Sequence, residues 1–166
     1  MSEKVREIED IYKILNDIKD PEMPFISIVD LGMIRKLYYE DDILNIIYTL
    51  TYTACSAKTY ILKEIERTLK LNGIKKIHLT EQIYPSWTTD WISETGIRNI
   101  VAQGIAAPKK ECSSCSASRV IQRNTYRCPL CGSENSTLKS RYSGTVCKSL
   151  YICNDCSNPF DAVRRK

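Results

Sequence analysis

Two cysteine pairs near the C-terminus limit what this chain can fold into more than any other feature. Cys128-Pro129-Leu130-Cys131-Gly132 and Cys153-Asn154-Asp155-Cys156 are separated by 21 residues. Thiolates two positions apart on a tight turn can bind one tetrahedral metal ion, and Gly132 supplies the positive φ that aims backbone amides at the sulfurs. The gap is long enough for a β-hairpin carrying a knuckle at each end. A shell of four thiolates has no open position, so such a site is structural rather than catalytic. A segment this short builds little core of its own, so metal binding contributes folding free energy. The spacing predicts a zinc ribbon ligated by Cys128, Cys131, Cys153 and Cys156. The competing reading is a disulfide or redox pair.

The distribution of cysteines favours metal. Seven of the eight lie after residue 111, and six of those form three Cys-x-x-Cys pairs. A secreted disulfide framework spreads its cysteines through the fold. The N-terminus alternates charged and apolar residues without the apolar stretch of a signal peptide. No apolar run approaches the roughly 20 residues that cross a bilayer. These features predict a cytoplasmic protein with no membrane segment. Cys112 and Cys115 form a further pair that could join Cys128 and Cys131 in an alternative site. That site ranks lower, because it strands Cys153 and Cys156 and lacks a glycine after Cys115. Cys147 stands alone.

Charge divides the chain at the same place. Residues 108–166 carry eleven Lys and Arg against four acids, whereas residues 1–107 carry thirteen against sixteen. A basic segment beside a mildly acidic one admits an anionic partner, although a solvated basic domain explains the charge as well. Ala106-Ala107-Pro108-Lys109-Lys110 reads as a linker, giving an α/β domain over 1–107 and a basic zinc-ribbon segment over 108–166.

Within the first segment, Val5, Ile8, Tyr12, Leu15 and Ile18 recur at helical spacing, which predicts a helix over 3–18. It stops at Asp20-Pro21, since proline disfavours helical backbone in the residue before it. Residues 21–24 read as a loop, and Ile28, Leu31 and Gly32 as a short turn. Two runs rich in β-branched and aromatic residues, 33–39 and 43–50, flank Glu40-Asp41-Asp42 and predict a β-hairpin. A helix over about 56–69 has Ile61, Leu62, Ile65 and Leu69 on its inner face and Gly73 as its stop. A strand over 74–79 follows, then a loop over 83–89, then a helix capped by Asp90 and ending at Gly104. The order helix, strand, strand, helix, strand, helix predicts a small two-layer α/β sandwich with a mixed sheet.

Cys55 follows a predicted strand and directly precedes a helix. A thiol there meets exposed amides and the positive end of the helix dipole, which predicts a lowered pKa. Such a thiolate can attack or bind a soft metal; the alternative is a buried apolar cysteine. His78, the single histidine, has no partner in sequence order that suggests a nucleophilic triad. No glycine loop for phosphate is present.

Several segments together resemble a known family. Asp20-Pro21-Glu22, Ser27-Ile28-Val29-Asp30-Leu31-Gly32, and Thr51 with Cys55 resemble the metal–sulfur cluster biosynthetic domain, an α/β domain linked to iron–sulfur protein maturation. Pro85-Ser86-Trp87-Thr88-Thr89-Asp90-Trp91-Ile92 joins a ribbon bearing Cys147-Lys148-Ser149-Leu150-Tyr151 and Pro159-Phe160-Asp161. Together they resemble the D-component family of phenylacetyl-CoA epoxidase systems, over nearly the whole chain. The resemblance implies a non-catalytic accessory subunit of a multicomponent oxygenase, assisting iron–sulfur maturation of the reductase or assembly of the oxygenase. It implies that Cys55, Asp20, Glu22 and Asp30 share a face touching iron or a cluster transiently, with structural zinc in the ribbon. The family cysteine is expected before a proline; here Ser56 follows Cys55. Two alternatives stand beside this reading. One is a scaffold that binds oxygenase subunits through Trp87 and Trp91. The other, ranked last, is a nucleic-acid binder using tyrosines among the ribbon's arginines.

Overall fold

The computed structural model describes residues 6–108 and 126–164. Cys112 and Cys115 lie outside the described residues. The chain divides into two compact units, Met1–Trp87 and Thr88–Lys166.

The first unit opens with α1 (Ile8–Asn16), shorter than the predicted 3–18 and buried through Ile11 and Leu15. Of residues 21–24, expected to be a loop, Met23 and Pro24 instead begin a strand: β1 (Lys19–Asp20) pairs antiparallel with β2 (Met23–Ser27). The sequence hid β2 because Pro24 reads as a breaker. In a two-stranded sheet an exposed proline need not donate to a ladder, and Pro24 is exposed while Met23 and Ile26 are buried.

The predicted hairpin is present as β3 (Ile34–Glu40) and β4 (Ile43–Tyr48), with Leu37 opposite Ile46. Asp41 and Asp42 both take positive φ, 48° and 60°. Two left-handed residues match the strands' right-handed twist across a two-residue turn. Helix α2 (Lys58–Leu71) then crosses over, burying Ile61, Ile65 and Leu69, while Leu62 is half-buried. It delivers β5 (Ile77–Glu81) parallel to β4, later than the predicted 74–79. The sheet order is β3-β4-β5. It is mixed, as expected, because a helical crossover returns the chain in the same direction whereas a tight turn reverses it. Leu44 and Ile46 of the central strand are fully buried.

The second unit begins with a 3-10 turn over Thr89–Trp91 and then α3 (Glu94–Ala102). The predicted cap, Asp90, is not the cap. Its own amide is taken by the Thr88 hydroxyl at 3.0 Å. Ser93 caps α3 by accepting from Gly96 N at 2.9 Å. Strands β6 (Ser136–Ser140), β7 (Lys148–Cys153) and β8 (Pro159–Val163) form an antiparallel sheet in that order. Ala106, read from sequence as linker, bridges to Ala162 and exchanges backbone bonds with Asp161 and Val163 at 2.8 and 3.1 Å. It shares a small core with Tyr126, Tyr151, Phe160, Cys128 and Cys153. Tyr126 meets Tyr151 edge-on at 5.1 Å, and Tyr151 stacks on Phe160 at 5.9 Å.

Candidate functional site

The ribbon brings the four predicted cysteines together. The sulfurs of Cys128, Cys131, Cys153 and Cys156 all lie within 4.8 Å of one another. Cys128 Sγ is 3.8 Å from Cys156 Sγ, and Cys131 Sγ is 3.5 Å from Cys153 Sγ. A tetrahedral zinc with Zn–S of ~2.3 Å spaces its sulfurs by about 3.8 Å, so this donor set fits such an ion.

Both knuckles are built alike. Cys128 N donates to Ser133 O at 2.8 Å, and Cys153 N donates to Asn158 O at 3.0 Å. The fourth residue after each leading cysteine is left-handed: Gly132 at φ 77° and Ser157 at φ 59°. The first turn uses glycine, which tolerates this backbone, and the second holds a serine there. Gly132 is legible in the sequence, whereas Ser157 is not, since serine carries no conformational signal of this kind.

Electrostatics point to the same conclusion. Backbone and side-chain amide groups of Asn158 pull the Cys156 thiol down to about 6. The Ser133 amide favours the Cys131 thiolate, but Cys153, Cys156 and Cys128 outweigh it and hold Cys131 up to about 12. Clustered thiols cannot all ionise without a cation among them. Cys128 and Cys153 are buried, Cys156 is half-buried and Cys131 is exposed. Cys147 is buried and outside this cluster.

The second candidate site surrounds Cys55 at the entry to α2. Asp20 is 2% exposed. Its Oδ1 accepts from Glu22 N and Met23 N, each at 2.9 Å, which sets the corner between β1 and β2. Ser56 Oγ donates to Glu22 Oε1 at 3.3 Å, tying that corner to the start of α2. Glu22 Oε2 is buried without a hydrogen-bond partner among the described residues. The serine that replaces the expected proline thus has a contact of its own.

The thiol does not behave as its helix position predicts. Burial pushes the Cys55 thiol up, and the charges of Glu22 and Asp20 add to that, against amides of Ala57 and Lys58 that favour the thiolate. The expected lowering is therefore reversed. Burial is the largest cause, and the charges of Glu22 and Asp20 act through space from positions a local reading does not reach. Burial likewise pushes the Asp20 carboxyl up, against its two amide bonds.

Asp30 is held by the Ser27 hydroxyl at 3.0 Å, and Ser27 also reaches Asn16 at 2.6 Å. Asp30 N donates back to Ser27 Oγ at 2.9 Å. Asp20, Glu22 and Cys55 thus interact electrostatically, while Asp30 is fixed on the following turn. Trp87 is 3% exposed, and its Nε1 donates to Leu31 O at 2.8 Å. It is a core residue of the first unit and presents no surface for a partner. Trp91 is half-buried. The exposed apolar residues of the preceding loop are Ile83 and Tyr84, at 71% and 88%.

Comparison with known proteins bears on both sites. Residues 8–79 match a family described as iron–sulfur cluster assembly protein, and residues 113–164 match the PaaD zinc beta ribbon domain. A protein of Escherichia coli named as the D component of a 1,2-phenylacetyl-CoA epoxidase is 34% identical over 93% of this chain and 91% of its own length. An Fe-S protein maturation auxiliary factor of Porphyromonas gingivalis is 30% identical over 52% of this chain and 83% of its own. A crystal structure of a domain of unknown function (DUF59) from Bacillus anthracis covers 58% of this chain and 91% of its own, with TM-score 0.52 and 23% identity. A conserved hypothetical protein of Thermotoga maritima covers 60% and 98%, with TM-score 0.51 and 24% identity. These last two are alike in fold. Among the described residues no helix is long and apolar enough to cross a membrane.

Proposed function

The chain belongs to the family of 1,2-phenylacetyl-CoA epoxidase D components, and from that membership we propose that it assists iron–sulfur cluster maturation in the reductase of a multicomponent oxygenase. It acts as an accessory protein and performs no oxygenation itself. The observation that supports the reading is the bond from Ser56, the residue after Cys55, to Glu22 at the entry to α2, with the charges of Glu22 and Asp20 acting on the thiol. One half-buried thiol and two carboxyls whose charges oppose one another are poorly arranged for a free nucleophile. Iron or an iron–sulfur cluster arriving as cargo with its client would lessen the negative charge felt by the thiol and favour the thiolate. Glu22 Oε2, buried without a partner among the described residues, is an acceptor such a cation could use.

The ribbon holds structural zinc through Cys128, Cys131, Cys153 and Cys156 and carries no chemistry of its own. The test is to produce the reductase together with the wild-type chain or with Cys55→Ser and measure iron and sulfide per reductase. The expected result is lower cluster content with the variant. Equal content with both refutes the role of Cys55.

A scaffold role has one observation in its favour, the exposed Ile83 and Tyr84. In that reading the contact is made by these two residues, with Trp87 supporting the loop from the core. Tyr84→Ala would then lower co-purification of oxygenase subunits without changing cluster content.

A further inference from the structure

The two knuckles are alike in backbone but not in what their intervening residues do. In the first, Pro129 and Leu130 separate the cysteines, and Leu130 points to solvent, 66% exposed. In the second, Asn154 and Asp155 both reach across to the chain leaving the first knuckle. Asp155 Oδ2 accepts the Ser133 hydroxyl, and its Oδ1 accepts from Asn135 Nδ2 at 2.8 Å. Ser133 Oγ in turn accepts from Asn135 N at 3.0 Å. Asn154 N donates to Asn135 O at 2.8 Å, and its side chain bonds Asn135 Oδ1 at 2.8 Å and Thr137 Oγ1 at 3.0 Å.

Ser133 joins these bonds to the backbone of the first knuckle. Its carbonyl takes the Cys128 amide and its hydroxyl bonds Asp155. Asp155 sits between Cys153 and Cys156. One short path therefore links a metal-facing turn to its opposite: Cys128, Ser133, Asp155, and the turn 153–156.

We propose that Asp155 is a positioning residue for the metal, a brace between the knuckles that holds the four sulfurs at binding distance. This rests on the reading that those sulfurs hold zinc. The physical need follows from the thiols themselves. The four sulfurs lie within 4.8 Å of one another only while the two turns face each other, so anything that fixes the turns also fixes the donor set. A cross-knuckle brace fixes them and leaves less structure to be assembled around the ion. Groups that orient metal ligands from outside the ligand shell commonly change affinity by about 10–100-fold. The braced bonds are largely solvent-exposed, which places the expected effect near the lower end, about tenfold.

The experiment titrates the full reduced chain with zinc against a chromophoric chelator. The wild type is expected to take up one zinc per chain, and Asp155→Ala to release it at about tenfold lower chelator strength. Ser133→Ala breaks the same link from the other knuckle and should weaken zinc similarly. The double variant should lose little more than either single one, since both remove a shared interaction. Asp155→Asn keeps an oxygen for Asn135 and should fall between Asp155→Ala and wild type. Equal affinity for Asp155→Ala and wild type overturns the brace, as do fully additive losses in the double variant. A wild-type chain that takes up no zinc overturns the metal reading and the brace with it, an outcome plainly distinct from equal affinities.

Discussion

At Cys55 two local influences compete with two distant ones. The amides of Ala57 and Lys58 favour the thiolate, as a helix entry should. Burial and the carboxylates of Glu22 and Asp20 oppose it and win. The sign is therefore clear: the thiol holds its proton to higher pH than the ordinary 9.0, and reactivity appears only as pH rises past that value. Alkylation of Cys55, followed by mass spectrometry of its peptide, should run slower at neutral pH than for an unhindered cysteine. Glu22→Gln removes a charge that raises the thiol, so its pH profile should move to lower pH. A profile unmoved by that substitution would mean that Glu22 does not sense the sulfur. The residue types of this site could be read from sequence through family resemblance. Their interaction could not, because Glu22 and Cys55 are 33 positions apart and the charge of Glu22 reaches the thiol only through the fold, which bonds Glu22 to Ser56. Ser56 illustrates the same limit: it looks like a departure from the family pattern and proves to be the tie to Glu22.

Elements were most legible where periodicity and turn chemistry agreed. The β3–β4 hairpin and α2 have strong apolar patterns and distinct boundaries, and the structure places both near the expected positions. Errors gathered at starts and stops. Proline at 24 concealed β2, and the sequence puts the start of α3 at Asp90 when Ser93 performs the capping. Both residues are good caps by type, and only the 3-10 turn over Thr89–Trp91, which engages the Asp90 amide, decides between them. The consequence is measurable. Ser93→Ala should cost about 1 kcal/mol of α3 stability, seen as roughly fivefold faster amide exchange along Glu94–Ala102. Asp90→Ala should leave those amides nearly unchanged. The reverse ranking would restore the assignment that the sequence suggested.

Over the whole molecule, two units carry separate cores. One is aliphatic, centred on Leu44, Ile46, Ile61 and Ile65; the other is aromatic, Tyr126, Tyr151 and Phe160, with Cys128 and Cys153 built into it. Since two of the four clustered cysteines are part of the second core, a metal ion held by them would be a structural member of it, and its removal should loosen that core. Treating the reduced, zinc-loaded chain with a strong chelator should therefore abolish amide protection in β6, β7 and β8 while β3, β4 and β5 retain theirs. Loss of protection in both units together would contradict separate cores. The ribbon cysteines and the mixed α/β class were readable without coordinates. Short cysteine spacings and hydrophobic periods are local codes, and a local code needs no distant partner. Other features emerged only on folding: where the second unit begins, that Trp87 is core, that Ala106 belongs to the ribbon's sheet, and that Cys55 is a raised thiol. Each depends on contacts between residues far apart in the chain, and burial and charge act through space rather than along the sequence.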